Sequence, residues 1–340
     1  MLTELNHKII NGQELVAEEA TALMLELLDP VANPQQISEA LLSLNSRLPS
    51  PDELVAYVNV LEQHSRKCNF ADYEHFDLCG TGGDGKNSIN ISTLASFVIA
   101  AMGEKLAKHG NYAASSKFGS SNLLEGLGVP LYTDLAKIEY AFADSGVVFL
   151  HAPFMHPALK GIAPIRKALG VRTIFNLMGP LLNPSKPKFQ VIGAVGIEIA
   201  QLLAKVLNKI SQGRELFFCT LADSSGYDEA SLISDCKVFS LNGTSLSNAE
   251  VISAETFGIS PISEEAIAAP QQLDSLVELS TQILKGYGTP AQNHVICANV
   301  ALALKLRYQA RSLESLFKDA LSAISSGEPF AVLEKIRSLK

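Results

Sequence analysis

The run Gly80-Thr-Gly-Gly-Asp-Gly85 is the first place where residue types and spacing suggest chemistry. It fits the G-x-G-x-x-G dinucleotide pattern, and Gly80 to Asn87 misses a Walker A loop only because Asn87 stands where Ser or Thr belongs. Neither motif fits in full. Lys86 to Ile91 intervene before Ser92 can cap a helix, and the acid a Rossmann fold needs after the next strand is replaced by Lys108 and His109. Asp84 would repel a pyrophosphate held by bare amides, which points to a phosphate accompanied by a divalent cation. The glycines let a ligand approach the backbone, and Ser88, Asn90, Ser92 and Thr93 add short donors where a helix N-terminus favours an anion. The plainer reading is a glycine turn followed by an ordinary cap at Ser92.

A second loop tips the balance toward an anion site. Lys108-His109-Gly110-Asn111 follows the next strand, and Ser115-Ser116-Lys117-Phe118-Gly119-Ser120 leads into a helix. Lys108 alone would read as a solvated lysine. Asp228-Glu229, after Asp223-Ser-Ser-Gly-Tyr, offers the hard oxygen ligands that Mg2+ prefers, although such a pair taken alone reads more readily as a surface turn. Arg166, in the proline-framed Ala163-Pro-Ile-Arg-Lys-Ala-Leu-Gly170, can clamp a planar carboxylate with two parallel hydrogen bonds. Its competing role is a helix-surface arginine, which Lys167 and Arg172 also fit. His151 and His156 have no third ligand at metal spacing, so packing or substrate contact is the expectation. No Ser/His/Asp order or G-x-S-x-G elbow occurs.

The elements that must position these groups change character along the chain. Residues 1–70 read as helices: Ala20, Leu23, Met24, Leu27 and Leu28 form one stripe, Ile37, Leu41, Leu42 and Leu44 another. Ser50 as N-cap, Pro51 at the first position and Asp52-Glu53 in the first turn mark a third helix. Strands are expected at Phe76–Cys79, Lys105–Lys108, Val147–Leu150, Gln190–Val195, Leu216–Leu221 and Cys236–Leu241. Helices are expected at Ser92–Met102, Leu123–Leu127 and Leu135–Ala143, with a C-terminal stripe of Val295, Ala298, Val300, Ala301 and Leu304. This alternation predicts an α/β fold with a mainly parallel sheet covered by helices on both faces, beside a separate all-α N-terminal part. His151 to Pro187, with six prolines, is too irregular for a simple strand-to-helix connection.

Length and composition set the frame. At 340 residues the chain is long enough for roughly two domains of ~150 residues. A formal charge of −8 with no basic run excludes an evident nucleic-acid or anionic-membrane footprint. The longest apolar stretch, Leu94 to Met102, is too short to span a bilayer, and the N-terminus lacks a signal-peptide pattern, so a cytoplasmic protein is expected. Five scattered cysteines without a C-x-x-C pair read as reduced, structural thiols.

Several long motifs in one order then converge: GTGGDG at Gly80, NIST at Asn90, KHGNYAASSKFGSSN at Lys108, HPALK at His156, APIRKALGVRTIFNLMGPLLNP at Ala163 and GYDEAS at Gly226. Together they resemble the anthranilate phosphoribosyltransferase family across essentially the whole chain. The resemblance implies transfer of the phosphoribosyl group of 5-phosphoribosyl 1-diphosphate to anthranilate, the second step from chorismate to tryptophan. It implies a helical domain of residues 1–70 plus about 155–185, through which two copies pair, hinged to an α/β domain of residues 71–154 plus 186–340. By the same resemblance the diphosphate substrate lies along Gly80, Gly83, Asp84, Ser88, Asn90, Ile91, Ser92, Thr93, Lys108, His109, Gly110, Asn111, Tyr112, Ala113, Ala114, Ser115, Ser116 and Ser120. Anthranilate would meet Gly80, Asn111 and Arg166, and two Mg2+ ions would accompany the diphosphate, held by Ser92, Asp228 and Glu229. No general base is implied; Lys108, Asn111 and Arg166 act by positioning.

The chain departs from the family motif at Tyr112, where an arginine is usual, and at Asn122, where an aspartate is usual. A neutral hydrogen bond between the two is the expected compensation. Two alternatives remain in view: a pyrimidine nucleoside phosphorylase, whose KHSTGG loop is absent here, and a non-catalytic paralogue that binds nucleic acid, which the negative charge disfavours.

Overall fold

The computed structural model describes residues 2–70, 72–112, 117–211, 215–242 and 245–339. Four helices open the chain: α1 (Leu2–Ile10), α2 (Ala17–Leu28), α3 (Pro34–Leu44) and α4 (Pro51–Gln63). The expected start of α4 holds and is tighter than the dipole argument required. Glu53 closes a capping box by accepting from Ser50 N at 2.7 Å, and it also accepts from Leu15 N at 2.9 Å and pairs with Arg47 at 2.5 Å while almost fully buried.

The α/β part follows as β1 (Phe76–Gly80), α5 (Ile91–Ala101), β2 (Leu106–Gly110), α6 (Ser120–Gly126), α7 (Leu135–Ser145) and β3 (Val147–His151). An excursion of short helices comes next: α8 (Ala152–Met155), α9 (Ala163–Leu169) and α10 (Ile174–Met178). The chain returns to the sheet with β4 (Phe189–Gly193), α11 (Ile197–Ile210), β5 (Phe217–Asp223), β6 (Cys236–Asn242), β7 (Ser245–Leu246) and β8 (Glu250–Ile252). It ends in α12 (Leu273–Gln282), α13 (Pro290–Arg307), α14 (Leu313–Ser325) and α15 (Glu328–Ser338).

The sheet runs β3-β2-β1-β4-β5-β6 with β7 and β8 beyond. Its first five strands are parallel, and β6 turns antiparallel against β5. The chain leaves β1 toward β2 on one side and returns to pair β4 on the other. That makes the C-terminal ends of β1 and β4 a topological switch point, with Gly80 registered opposite Gly193.

One face of the sheet packs its apolar side chains with α5, α13, α14 and α15. On the other face, Ile192, Ala194 and Phe218 join α11, helices α1–α4 and the excursion residues Ile162, Ile174, Phe175 and Met178 in a single apolar cluster. The C-terminal stripe expected around Val295 is a correction: α13 lies between the sheet, α5 and α14, so Val295 to Leu304 are buried around the whole circumference. All five cysteines are free thiols. Among the described residues no helix is long and apolar enough to cross a membrane.

Candidate active site

The cleft at the switch point gathers most of the residues singled out from the sequence. Gly82, Gly83 and Gly85 take φ near +72°, a conformation glycine adopts without strain, so the loop after β1 curls across the strand ends. Asp84 accepts from Lys86 N at 3.0 Å and faces the cleft with Ser88 and Asn90. Thr93 lines the same cleft. Ile91 is a correction: it does not line the cleft, because its side chain is buried in the core against the sheet.

Helix α5 starts at Ile91 rather than Ser92, and no side chain caps it. Glu229 takes that place from a distant loop: its Oε1 accepts from Ser92 N at 2.8 Å, setting a carboxylate at the positive end of the helix. The plain reading of Ser92 as an ordinary cap is thereby corrected. Lys108 is equally far from a solvated lysine. Buried on β2, it donates from Nζ to Leu78 O and, at 3.1 Å, to Ser92 Oγ.

Asp228 and Glu229 form the floor of the cleft. Asp228 Oδ2 accepts from Gly82 N at 2.6 Å, and a Cβ at Gly80 would lie 2.1 Å from the same oxygen. Withdrawal from water, then repulsion from Glu229 and Asp84, pushes the Asp228 carboxyl well above its ordinary range. Desolvation also raises Glu229, to about 7, against the opposing pull of the Ser92 hydrogen bonds and Lys108. The pair is therefore no surface turn; its carboxylates are drawn into the cleft and tied to Gly82 N and Ser92 N.

His109 and His156 stack edge to face at 5.0 Å on the cleft wall, and burial pushes both below the ordinary histidine value, His156 to about 4. His156 bonds Leu182 O through Nε2, while His109 Nε2 and His156 Nδ1 have no protein partner among the described residues. Arg166, lining the same cleft, donates to Thr173 Oγ1 at 3.1 Å and Asn176 Oδ1 at 3.3 Å, with its guanidinium 5.1 Å from the Phe175 ring. Among the described residues it makes no salt bridge.

At the cleft mouth Asn111 Oδ1 accepts from Tyr112 N, and Ser120 Oγ donates back to Asn111 O at 3.2 Å, closing on Gly110. Tyr112 donates to Glu125 Oε1 at 2.8 Å and packs edge-on to His151, whereas Asn122 Oδ1 accepts from Gly119 N at 3.0 Å. The expected neutral compensation is corrected here: Tyr112 has a carboxylate as its partner. Ala113, Ala114, Ser115 and Ser116 lie outside the described residues.

Three contributors were not singled out for chemistry from the sequence. Gly193 closes β4 against the Asp228 backbone, and a glycine ending a strand beside Gly80 was the available signal. Arg172, read as a surface cation, donates to Gly82 O at 2.6 Å. Asn299, hidden in an apolar helix, carried no signal at all.

A helical bundle beside a largely parallel sheet, with a glycine loop and an acidic pair at the switch point, defines a two-domain glycosyl transferase. Residues 3–65 match the helical bundle domain of a glycosyl transferase family and residues 72–330 its a/b domain. Anthranilate phosphoribosyltransferase of Flavobacterium johnsoniae is 38% identical over 339 residues, covering 100% of this chain and 99% of that protein. The enzyme of the same name from Synechococcus sp. strain WH7803 is 38% identical, covering 97% of this chain and 94% of that one. The crystal structure of anthranilate phosphoribosyltransferase from Thermus thermophilus superposes with a TM-score of 0.88 at 30% identity, covering 98% of each chain. That from Saccharomyces cerevisiae, in complex with PRPP and Mg, shares the fold at a TM-score of 0.89 and 23% identity, covering 99% of this chain and 97% of that one. The chain belongs to the anthranilate phosphoribosyltransferase family.

Proposed function

We propose that the protein transfers the phosphoribosyl group of 5-phosphoribosyl 1-diphosphate to the amine of anthranilate, giving N-(5-phosphoribosyl)anthranilate and diphosphate in tryptophan biosynthesis. The observation that carries this reading is the Asp228–Glu229 pair bound to the glycine loop and the start of α5 in the cleft that Arg166 also lines. The yeast relative's structures with PRPP and Mg and with 4-fluoroanthranilate support both substrates.

Mg2+ fits the site on its chemistry. Two adjacent carboxylates and the Ser92 hydroxyl line the cleft as hard oxygen donors, while no cluster of three or more His, Cys, Asp or Glu occurs among the described residues. Substrate oxygens and water would complete the coordination that Mg2+ prefers. Asp228, Glu229 and Ser92 are the residues that would hold it, with two ions per diphosphate. When bound, Mg2+ offsets the charge of the diphosphate.

The protein's own part is positioning and electrostatics. The glycine-loop amides and the N-terminus of α5 receive the diphosphate, and Lys108 holds Ser92 in place beneath it. Arg166, with Asn111 and Gly80 nearby in the cleft, receives the anthranilate carboxylate. The neutral His109 and His156 offer hydrogen bonds without adding charge where ribose C1 gains positive character. The aryl amine is nucleophilic with its ortho carboxylate beside it, so no side chain is assigned as general base. Bringing amine and C1 together adds to this electrostatic stabilisation the gain of holding both reactants in place.

Residues 1–70 with about 155–185 form the helical domain in this reading, through which two copies pair in the cytoplasm. Loss of anthranilate fluorescence on mixing the protein with the diphosphate substrate and Mg2+ tests the activity. No turnover together with salt-sensitive DNA binding would replace it with the nucleic-acid-binding paralogue, and phosphorolysis of a pyrimidine nucleoside would favour the phosphorylase.

A further inference from the structure

We propose that Asn299, on α13 and outside the cleft lining, is the positioning residue that holds the Asp228–Glu229 pair in register with the glycine loop. The inference rests on the reading of that pair as the Mg2+ ligands of the transfer.

The pair lies on the loop between β5 and β6, and two buried side chains hold that loop. At its start Asp223, the last residue of β5, accepts from Ser225 N at 2.8 Å, Ser231 N at 3.1 Å, Ser231 Oγ at 2.7 Å and Ser234 Oγ at 2.9 Å. These bonds gather the loop into a compact turn at the end of β5. Asn299 ties that turn to α13. Its Oδ1 accepts from Ala230 N at 3.2 Å and its Nδ2 donates to Ala230 O at 2.9 Å, so one amide pairs with both polar groups of the residue that follows Glu229. Nδ2 also donates to Val295 O at 2.8 Å, one turn back on its own helix. Only one orientation of the amide satisfies all three contacts, because the flipped form would face an N–H with an NH2.

The fit leaves no slack. Asn299 is 3% exposed on a helix packed on every side, so its anchor cannot drift. On the other side the Asp228 backbone rests on Gly193, where a Cβ would lie 1.6 Å from the carbonyl oxygen. The loop is thus held between a rigid helix and two strand ends, and the carboxylates leave it at a fixed angle toward Gly82 N and Ser92 N. A polar residue in an otherwise apolar helix costs stability unless it is satisfied, and here all of its satisfaction beyond Val295 goes to the loop that bears the acidic pair.

The test compares Asn299→Leu with Val300→Ala, a fully buried neighbour on α13 that makes no polar contact with the loop. Calorimetric titration of the Mg2+-loaded diphosphate substrate should show binding to Asn299→Leu weakened about 10- to 100-fold, and the Mg2+ midpoint of turnover should rise in step. The KM for anthranilate should move less than about 2-fold, since Arg166 lies on a separate element. Amide exchange across residues 224–235 should accelerate in Asn299→Leu and stay protected in Val300→Ala. If the leucine variant does not fold, Asn299→Ala removes both contacts to Ala230 with a smaller side chain and no charge, and should show the same shift. An Mg2+ titration unchanged in either Asn299 variant, or moved equally by Val300→Ala, overturns the proposal. A wild-type protein whose turnover ignores Mg2+ removes instead the reading on which it rests.

Discussion

Gly193 and Asp228 meet backbone to backbone: a methyl group added to Gly193 would lie 1.6 Å from the Asp228 carbonyl oxygen and 2.4 Å from its carbonyl carbon. Gly193 does not need a left-handed conformation, so space alone excludes a side chain. Gly193→Ala must push the acidic loop away from the glycine loop or bend β4. A displacement near 1 Å costs on the order of 100-fold in rate, while overpacking of this kind costs about 1–3 kcal/mol in stability. The expected outcome is a folded protein with a lower Tm, a kcat/KM reduced at least about 100-fold and a raised Mg2+ requirement. Alanine tolerated at full activity would show that the loop can step aside.

Arg166 should separate the two substrates. Its guanidinium is held by Thr173, Asn176 and the Phe175 ring, and burial lowers its pKa without removing its charge. A charge-assisted hydrogen bond is worth about 1.5–3 kcal/mol, so Arg166→Ala should raise the KM for anthranilate roughly 10- to 100-fold and leave that for the diphosphate substrate within about 2-fold. Arg166→Lys should recover little, since an ammonium cannot match a planar carboxylate at two points. Equal effects on both KM values would refute the clamp.

His156 makes stability depend on pH in a definite direction. Burial pushes its pKa down from 6.5 to about 4, so the folded state resists protonation that the unfolded chain accepts. Its contribution is complete above about pH 6.5 and is lost as pH falls toward 4, on the order of 3 kcal/mol over that window. Burial depresses His109 beside it in the same direction. Urea midpoints measured from pH 7 to pH 4 should fall more steeply for the wild type than for His156→Gln, which has no proton to take up. Parallel profiles for the two proteins would place this ring in a solvated setting.

What the sequence made legible was what local chemistry governs. Strand and helix positions followed from periodicity, and the Ser50-Pro51 start of α4 followed from capping. The loops at Gly80 and Lys108 were visible because glycine, lysine and short polar residues cluster there. Hidden were the partners that only the fold brings together. Glu53 read as a first-turn acid and proved to be a buried anchor for Leu15, Ser50 and Arg47. Asp228 and Glu229 read alone as a surface turn, because nothing nearby in sequence shows that Gly82 and Ser92 would donate to them across more than a hundred residues. Lys108 read as part of an anion site, but its burial was hidden, since that depends on the carbonyl of Leu78 in the neighbouring strand.

Arg172 offers a last separable effect, because it ties the excursion to the glycine loop from outside the cleft. Its Nη2 donates to Gly82 O at 2.6 Å, and its own carbonyl accepts from Asn45 Nδ2 at 2.6 Å, so α3, the excursion and the loop after β1 are linked in series. Gly82 N is the donor to Asp228, which makes the latch one peptide away from the acidic pair. The side chain is half-buried but its contact with Gly82 is exposed, and exposed polar contacts contribute about 1 kcal/mol or less, so Arg172→Ala should leave the Tm nearly unchanged. Loosening one end of the glycine loop should instead raise the KM for the diphosphate substrate about 3- to 10-fold with little change in that for anthranilate. Asn45→Ala, which frees the carbonyl of Arg172 but keeps its guanidinium, should give the same change in weaker form. Steady-state kinetics with each substrate varied in turn distinguishes this from a general loss of fold, which would lower kcat and Tm together.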